Sequence, residues 1–235
     1  MGEHSQEADE RSTPPPGVVV LPGYLSARDP SRALRVGPHG MPREHVEQVQ
    51  RDRLIDAFVQ VVAERGYESA GIKVICKRAG VAFNTFYELF ESKEQLFLAA
   101  YERGVAILFH EARAASLTGE MTWEERVRAG LEVILRTLAH NPDYAKFHAI
   151  EIHKAGAEAQ ERVDETFESA FRLFDNSPVA SVVGMPTEHL GPLVIGGIYT
   201  RMYFYIRIGR TADLPELLPV LTRFVLTAFT LRDDR

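Results

Sequence analysis

Between residues 83 and 87 the chain reads Phe-Asn-Thr-Phe-Tyr, and these side chains offer recognition rather than bond-making. The Asn84 carboxamide donates and accepts at once, so it is able to pair bidentately with adenine. Phe83 can do neither, which restricts it to apolar contact such as with a thymine methyl. Lys73, Lys77, Arg78 and Lys93 lie close by in sequence and would suit an anionic partner. The signatures of catalysis are absent: there is no Gly-x-Ser-x-Gly elbow, no Gly-Lys-Ser/Thr phosphate loop and no Glu-x-x-His pair for a di-iron bundle. His148 and Glu151 share a helix face but His153 turns away from it, so no metal site is expected, and no cofactor. The single cysteine, Cys76, can form no internal disulfide and falls on an apolar face where a small residue is wanted.

One or two turns of chain cannot hold such groups alone, so the elements around them matter. The 235 residues, 45% apolar, are enough for a real core and for one or two domains. A net charge of −6 argues against a chain coated in nucleic acid, yet leaves room for a local basic face. No run reaches the roughly 20 apolar residues of a membrane span, and the first 30 residues lack a secretory layout; a cytoplasmic protein with no membrane partner is expected.

Residues 1–42 read as a disordered or loosely docked extension, with a basic arm carrying Arg28, Arg32 and Arg35 as the alternative. From Pro42 on, every strong period is helical. Leu54, Phe58, Val61 and Val62 mark a first helix that stops at Gly66. Ile72, Ile75, Cys76 and Ala79 mark a short second one closed by Gly80, and Phe86 and Phe90 share one side of a third. Ser92 to Gln95 and Thr122 to Glu125 are spaced as capping boxes at two further helix starts, and Asn141-Pro142 is a cap followed by a first-turn proline. Helices over about 157–175, 187–209 and 214–232 follow, giving an all-α fold of about nine helices.

Two short helices about the turn Ala-Gly-Val, braced by a longer helix before them, have helix-turn-helix spacing. In that geometry the second lies in a major groove with its first exposed side chains at base edges. The stretch LIDAFVQVVAERGYESAGIKVICKRAGVAFNTFYELFESKEQLFLAAY resembles the N-terminal domain of the TetR family of transcriptional regulators. The shared features are the ERGY turn, the AGV turn, the Thr-aromatic-Tyr triplet and the F-x-SKE-x-L helix start. The resemblance implies DNA-phosphate contacts for Tyr87 and Lys93, exposed reading positions at Phe83, Asn84 and Thr85, and a groove-reaching position at Lys73. Ala82 and Gly71 stand where the family commonly has Ser and Thr caps, each lost cap costing on the order of 1 kcal/mol.

The resemblance further implies a helix-turn-helix domain over 43–103 and an effector-binding and dimerisation domain over 104–235. Rings are abundant in the latter, and Phe109, Trp123, Tyr144, Phe147, His148, Phe167, Phe171 and Tyr199 are the expected lining of a largely apolar small-molecule cavity. Phe174 adds another ring. The last two helices are apolar on several sides and must be buried on several sides. Val194, Gly197, Ile198, Leu218, Leu221 and Val225 are expected at a homodimer interface. The functional expectation is a non-enzymatic, ligand-responsive repressor that binds a palindromic double-stranded operator as a homodimer and is released by an effector. The alternative is a dimeric helical module that does not bind DNA; residues 41–103 carry nine Lys or Arg against ten Asp or Glu, so the domain is not basic overall.

Overall fold

The computed structural model describes residues 14, 17–29, 42–117, 119–171 and 187–230. Among them are nine α-helices and no strand: α1 Arg43–Arg65, α2 Ile72–Ala79, α3 Phe83–Leu89, α4 Lys93–Ser116, α5 Trp123–His140, α6 Pro142–Ala149, α7 Ala157–Phe171, α8 Thr187–Arg207 and α9 Leu218–Thr230. Short 3-10 turns at Glu151–Lys154 and Thr211–Leu217 precede α7 and α9. The expected last helix from 214 begins instead at Leu218: Pro219 lacks the amide hydrogen that a helix begun at 214 would use, but in a helix begun at Leu218 it falls in the first turn, where none is needed. The expected helix to 175 is described as far as Phe171, and Phe174 lies outside the described residues.

α1 through α3 form the helix-turn-helix unit. Gly80 closes α2 in the left-handed conformation (φ 65°), with Val81 N–H donating to Cys76 O at 3.1 Å. Neither α2 nor α3 has a side-chain N-cap, as Gly71 and Ala82 dictate. α4 runs through the expected boundary at residue 103 without interruption, so no linker separates the two halves. Its start departs from a full capping box. Ser92 Oγ accepts from Gln95 N–H at 3.1 Å, but Gln95 Oε1 takes the amide of Glu91, one residue early, at 2.6 Å. Thr122 and Glu125 make the complete box.

The core continues across both halves. Phe58 of α1 and Phe97 of α4 meet edge to face at 6.0 Å, and Phe147 of α6 reaches both, at 5.8 Å and 4.5 Å. From Leu54 to Ala63, α1 is buried at every position except Gln60, which is half-buried. One cause is the extension: residues 18–29 lie across α1 with Leu21 and Ala27 only 1% exposed. That part of residues 1–42 is packed core, not a loose tail. Val18-Val19-Val20-Leu21 supplies apolar surface that the proline-rich composition around it obscured.

Candidate nucleic-acid interface and effector cleft

On α3, phase separates the rings as the period required. Phe83 is 41% and Tyr87 50% exposed, Asn84 is exposed and Thr85 half-buried, whereas Phe86 and Phe90 are core. Phe83 and Tyr87 meet edge to face at 5.3 Å, and Tyr87 leans on Phe86 at 5.2 Å, so the Tyr87 phenol stands on a ring scaffold rather than swinging free. Lys73 and Lys77 are exposed on α2. The other two cations of the group are engaged within the protein. Arg78 forks onto the Glu64 carboxylate, with one contact at 2.7 Å. Lys93 is half-buried, donates to Tyr67 O at 3.0 Å and lies 4.0 Å above the Tyr67 ring. Arg28 donates from Nε to Arg78 O at 3.1 Å and from its fork to Lys77 O, binding the end of α2; Arg32 and Arg35 lie outside the described residues.

A polar network joins this unit to the helices above it. The Tyr67 amide donates to Glu151 Oε2 at 2.9 Å, and the Tyr67 hydroxyl donates to Glu94 Oε1 at 3.0 Å. Glu151 is buried and pairs with Lys154 at 3.2 Å, while Lys146 donates to Ala63 O. The C-terminal end of α1, the start of α4 and the α6 junction are thereby held together. Neither Tyr67 nor Glu151 was expected as a functional residue, since their sequence separation of 84 leaves no local signal. Asn141 was expected to cap α6, but its side chain accepts from Leu21 N–H at 2.9 Å and donates to Val19 O at 2.9 Å.

A cleft of about 210 Å³ opens between α4, α5, α7 and α8. Of the eight expected lining rings, Phe109 and Trp123 lie in its wall. Val127, Leu131, Ile134, Ile195 and Ile198 complete an apolar interior, with the exposed Arg113 and Arg126 at its open side. Tyr144 and Phe147 are core instead, because α6 is wedged between α1 and α4. A Cβ on Gly104 would come within 2.0 Å of the Tyr144 ring, so α4 and α6 approach closely only because residue 104 is glycine. His148 is stacked on Tyr101 at 5.1 Å and near Tyr144 at 5.8 Å. Burial, aided by His153, pushes its imidazole down to about 4. Phe167 meets Tyr199 at 5.0 Å, and Tyr199 donates to Ala149 O at 3.1 Å. The side chain of Phe171 lies outside the described residues.

The expected interface residues also divide. Val194, Ile198, Leu221 and Val225 are buried within the protomer, Leu218 is half-buried and Gly197 is exposed. The apolar side chains left outside are Leu193 (60% exposed), Phe204 and Ile208 on or just after α8, and Val220 (57%) and Phe224 on α9. Neighbouring positions on a helix differ by about 100°, and on helices greasy all round the composition does not say which stripe turns inward.

Residues 54–100 match the family described as bacterial regulatory proteins, tetR family. The chain is 25% identical over 123 residues to the fatty acid metabolism regulator protein of Bacillus subtilis (strain 168), a match covering 52% of this chain and 63% of that one. It is 26% identical over 177 residues to the transcriptional repressor KstR of Mycolicibacterium smegmatis, covering 75% and 79%. A solved structure, the regulator FadR from Bacillus subtilis in complex with stearoyl-CoA, shares the fold with a TM-score of 0.65 at 19% identity, covering 75% and 96%. These relatives are named as regulators, and among the described residues no helix is long and apolar enough to cross a membrane. With the helix-turn-helix unit, its outward-facing α3 and these matches together, residues 54–100 form a helix-turn-helix domain of the tetR family of bacterial regulatory proteins, set in a fold shared with regulators of that kind.

Proposed function

We propose that the protein is a cytoplasmic, homodimeric, ligand-responsive repressor that binds a palindromic operator and leaves it when a small molecule enters the α4/α5/α7/α8 cleft. The observation that carries the reading is the outward presentation of Phe83, Asn84 and Tyr87 on α3, beside Lys73 and Lys77. Asn84 reads a base edge, Phe83 makes apolar contact in the groove, and Tyr87, Thr85, Lys73 and Lys93 serve phosphate or groove contacts. The exposed α8/α9 face of Leu193, Phe204, Val220 and Phe224 supports a two-fold partner copy, which would set two α3 helices on half-sites one helical turn apart.

The cleft supports an amphiphilic effector: an apolar tail among Trp123, Val127, Leu131, Ile134 and Ile198, and an anionic head at Arg113 and Arg126. The stearoyl-CoA in complex with the FadR neighbour is a ligand of that type. Entry of a tail between α4 and α5 would favour a tilt of α4 and so change the spacing of the two reading helices, a coupling of roughly 1–3 kcal/mol. The reading is tested by selecting duplexes from a random library and titrating the enriched sequence with salt, then with stearoyl-CoA. A palindromic motif with a negative salt slope and release by the acyl-CoA is expected. No salt-dependent duplex binding would favour a helical module without DNA binding.

A further inference from the structure

The strap formed by residues 18–29 touches three elements that the chain reaches only much later. At one end Asn141, the residue joining α5 to α6, pairs with Val19 O and Leu21 N–H in the manner of a neighbouring strand. In the middle, Gly23 N–H donates to the buried Asp56 carboxylate at 2.7 Å, while Gln60 Nε2 donates to Gly23 O at 3.0 Å and Leu25 O at 2.8 Å. Gly23 has φ 87°, and a Cβ there would come within 2.6 Å of Val59, so the strap lies against α1 as closely as backbone permits. At the far end the Arg28 guanidinium binds the last carbonyls of α2. A cation there satisfies acceptors that the helix leaves open and opposes the negative end of its dipole.

We propose that the strap is a positioning device for the reading unit, in which Arg28 acts as a tertiary C-cap of α2 and transmits the position of the α5–α6 junction to the turn before α3. The residues joined make this more than stabilisation. The first two-thirds of α5 supplies Trp123, Val127, Leu131 and Ile134 to the cleft, and its last turn ends at the C-cap Asn141. A shift of α5 along its axis therefore moves the strap. The strap ends on Lys77 and Arg78, next to Gly80, and a Cβ on Gly80 would sit 3.1 Å from Arg28 Nε. This route runs outside α4. Arg28 needs no DNA contact to act this way; it fixes the end of α2 from which the turn and α3 depart.

The test uses the full chain. Native-state hydrogen exchange follows the amides of Gly80 and Val81, which close α2, in Arg28→Ala, Asn141→Ala and the double variant. Each single change is expected to speed exchange at these amides about fivefold or more, the double no further than the larger single, and Arg28→Lys to restore most of the protection. Acceleration in Asn141→Ala confined to the strap and the α5–α6 junction would overturn transmission, as would a uniform rise across all helices, α9 included. A second measurement rests on the regulator reading: binding to a duplex enriched by the wild type should weaken about tenfold in Arg28→Ala with an unchanged salt slope. A slope reduced by about one would make Arg28 a phosphate contact and overturn its positioning role. If the wild type enriches no duplex, the regulator reading fails while hydrogen exchange still decides the strap.

Discussion

Tyr87, Lys73 and Asn84 leave different signatures because their chemistry differs. Tyr87 is neutral, so a phosphate contact through its hydroxyl releases no counterion; Tyr87→Phe should weaken binding to any duplex while leaving the salt slope unmoved. Lys73→Ala should lower that slope by about one, measured by gel shift over a salt series. Asn84→Ala should cost roughly 1–3 kcal/mol at one base position only, and equal losses on all sequences would remove base readout from it. His148 gives a pH signature. Its folded pKa, about 4, lies below its ordinary 6.5, so the unfolded state binds the extra proton between these values. The stability contributed by the neutral ring is full above pH 6.5 and lost as pH falls toward 4. Since His148 retains some exposure, the loss is set at roughly 1–3 kcal/mol. Urea unfolding at pH 7 and pH 4.5 should show this difference in the wild type and a smaller one in His148→Gln.

Among the helices, α4 is the member shared by both halves, and its seating on α6 depends on Gly104. Gly104→Ala forces a Cβ into the Tyr144 ring, whose hydroxyl is already committed to Tyr101 O at 3.0 Å. Overpacking of this kind costs about 1–3 kcal/mol, and a lower thermal midpoint, with repressor function altered through α4, is the expected result. An unchanged midpoint would mean that α4 and α6 separate at no cost. Lys93 belongs at this scale as well. Its contacts to Tyr67 hold the start of α4 against the end of α1, so Lys93→Ala should reduce stability even without DNA.

For the molecule as a whole, the proposed dimer rests on the exposed apolar face of α8 and α9. Phe204→Glu or Phe224→Glu should shift sedimentation from dimer to monomer and lower operator affinity, because a lone half-site loses its partner's contacts. Val225→Ala should behave differently. Val225 is fully buried within the protomer, so the loss appears as about 1–2 kcal/mol of folding stability and leaves assembly in place.

The sequence by itself determined the helices and which face of α3 turns outward. The 3.6-residue period sorts Phe86 and Phe90 from Phe83 and Tyr87, and the Gly80 and Ser92 signals bound α3 and α4, because each depends on residues within one or two turns. It was silent where partners lie far apart along the chain. Asn141 looked like a cap and is a clamp on Val19 and Leu21, 122 and 120 residues away. Lys93, expected at a DNA phosphate, also lies on Tyr67, which nothing near it in sequence announced, and Val194 and Leu221, expected at an interface, are buried within the protomer. On helices apolar all round, and for polar groups with several available partners, only the tertiary structure chooses, because that choice is made by what else is packed alongside.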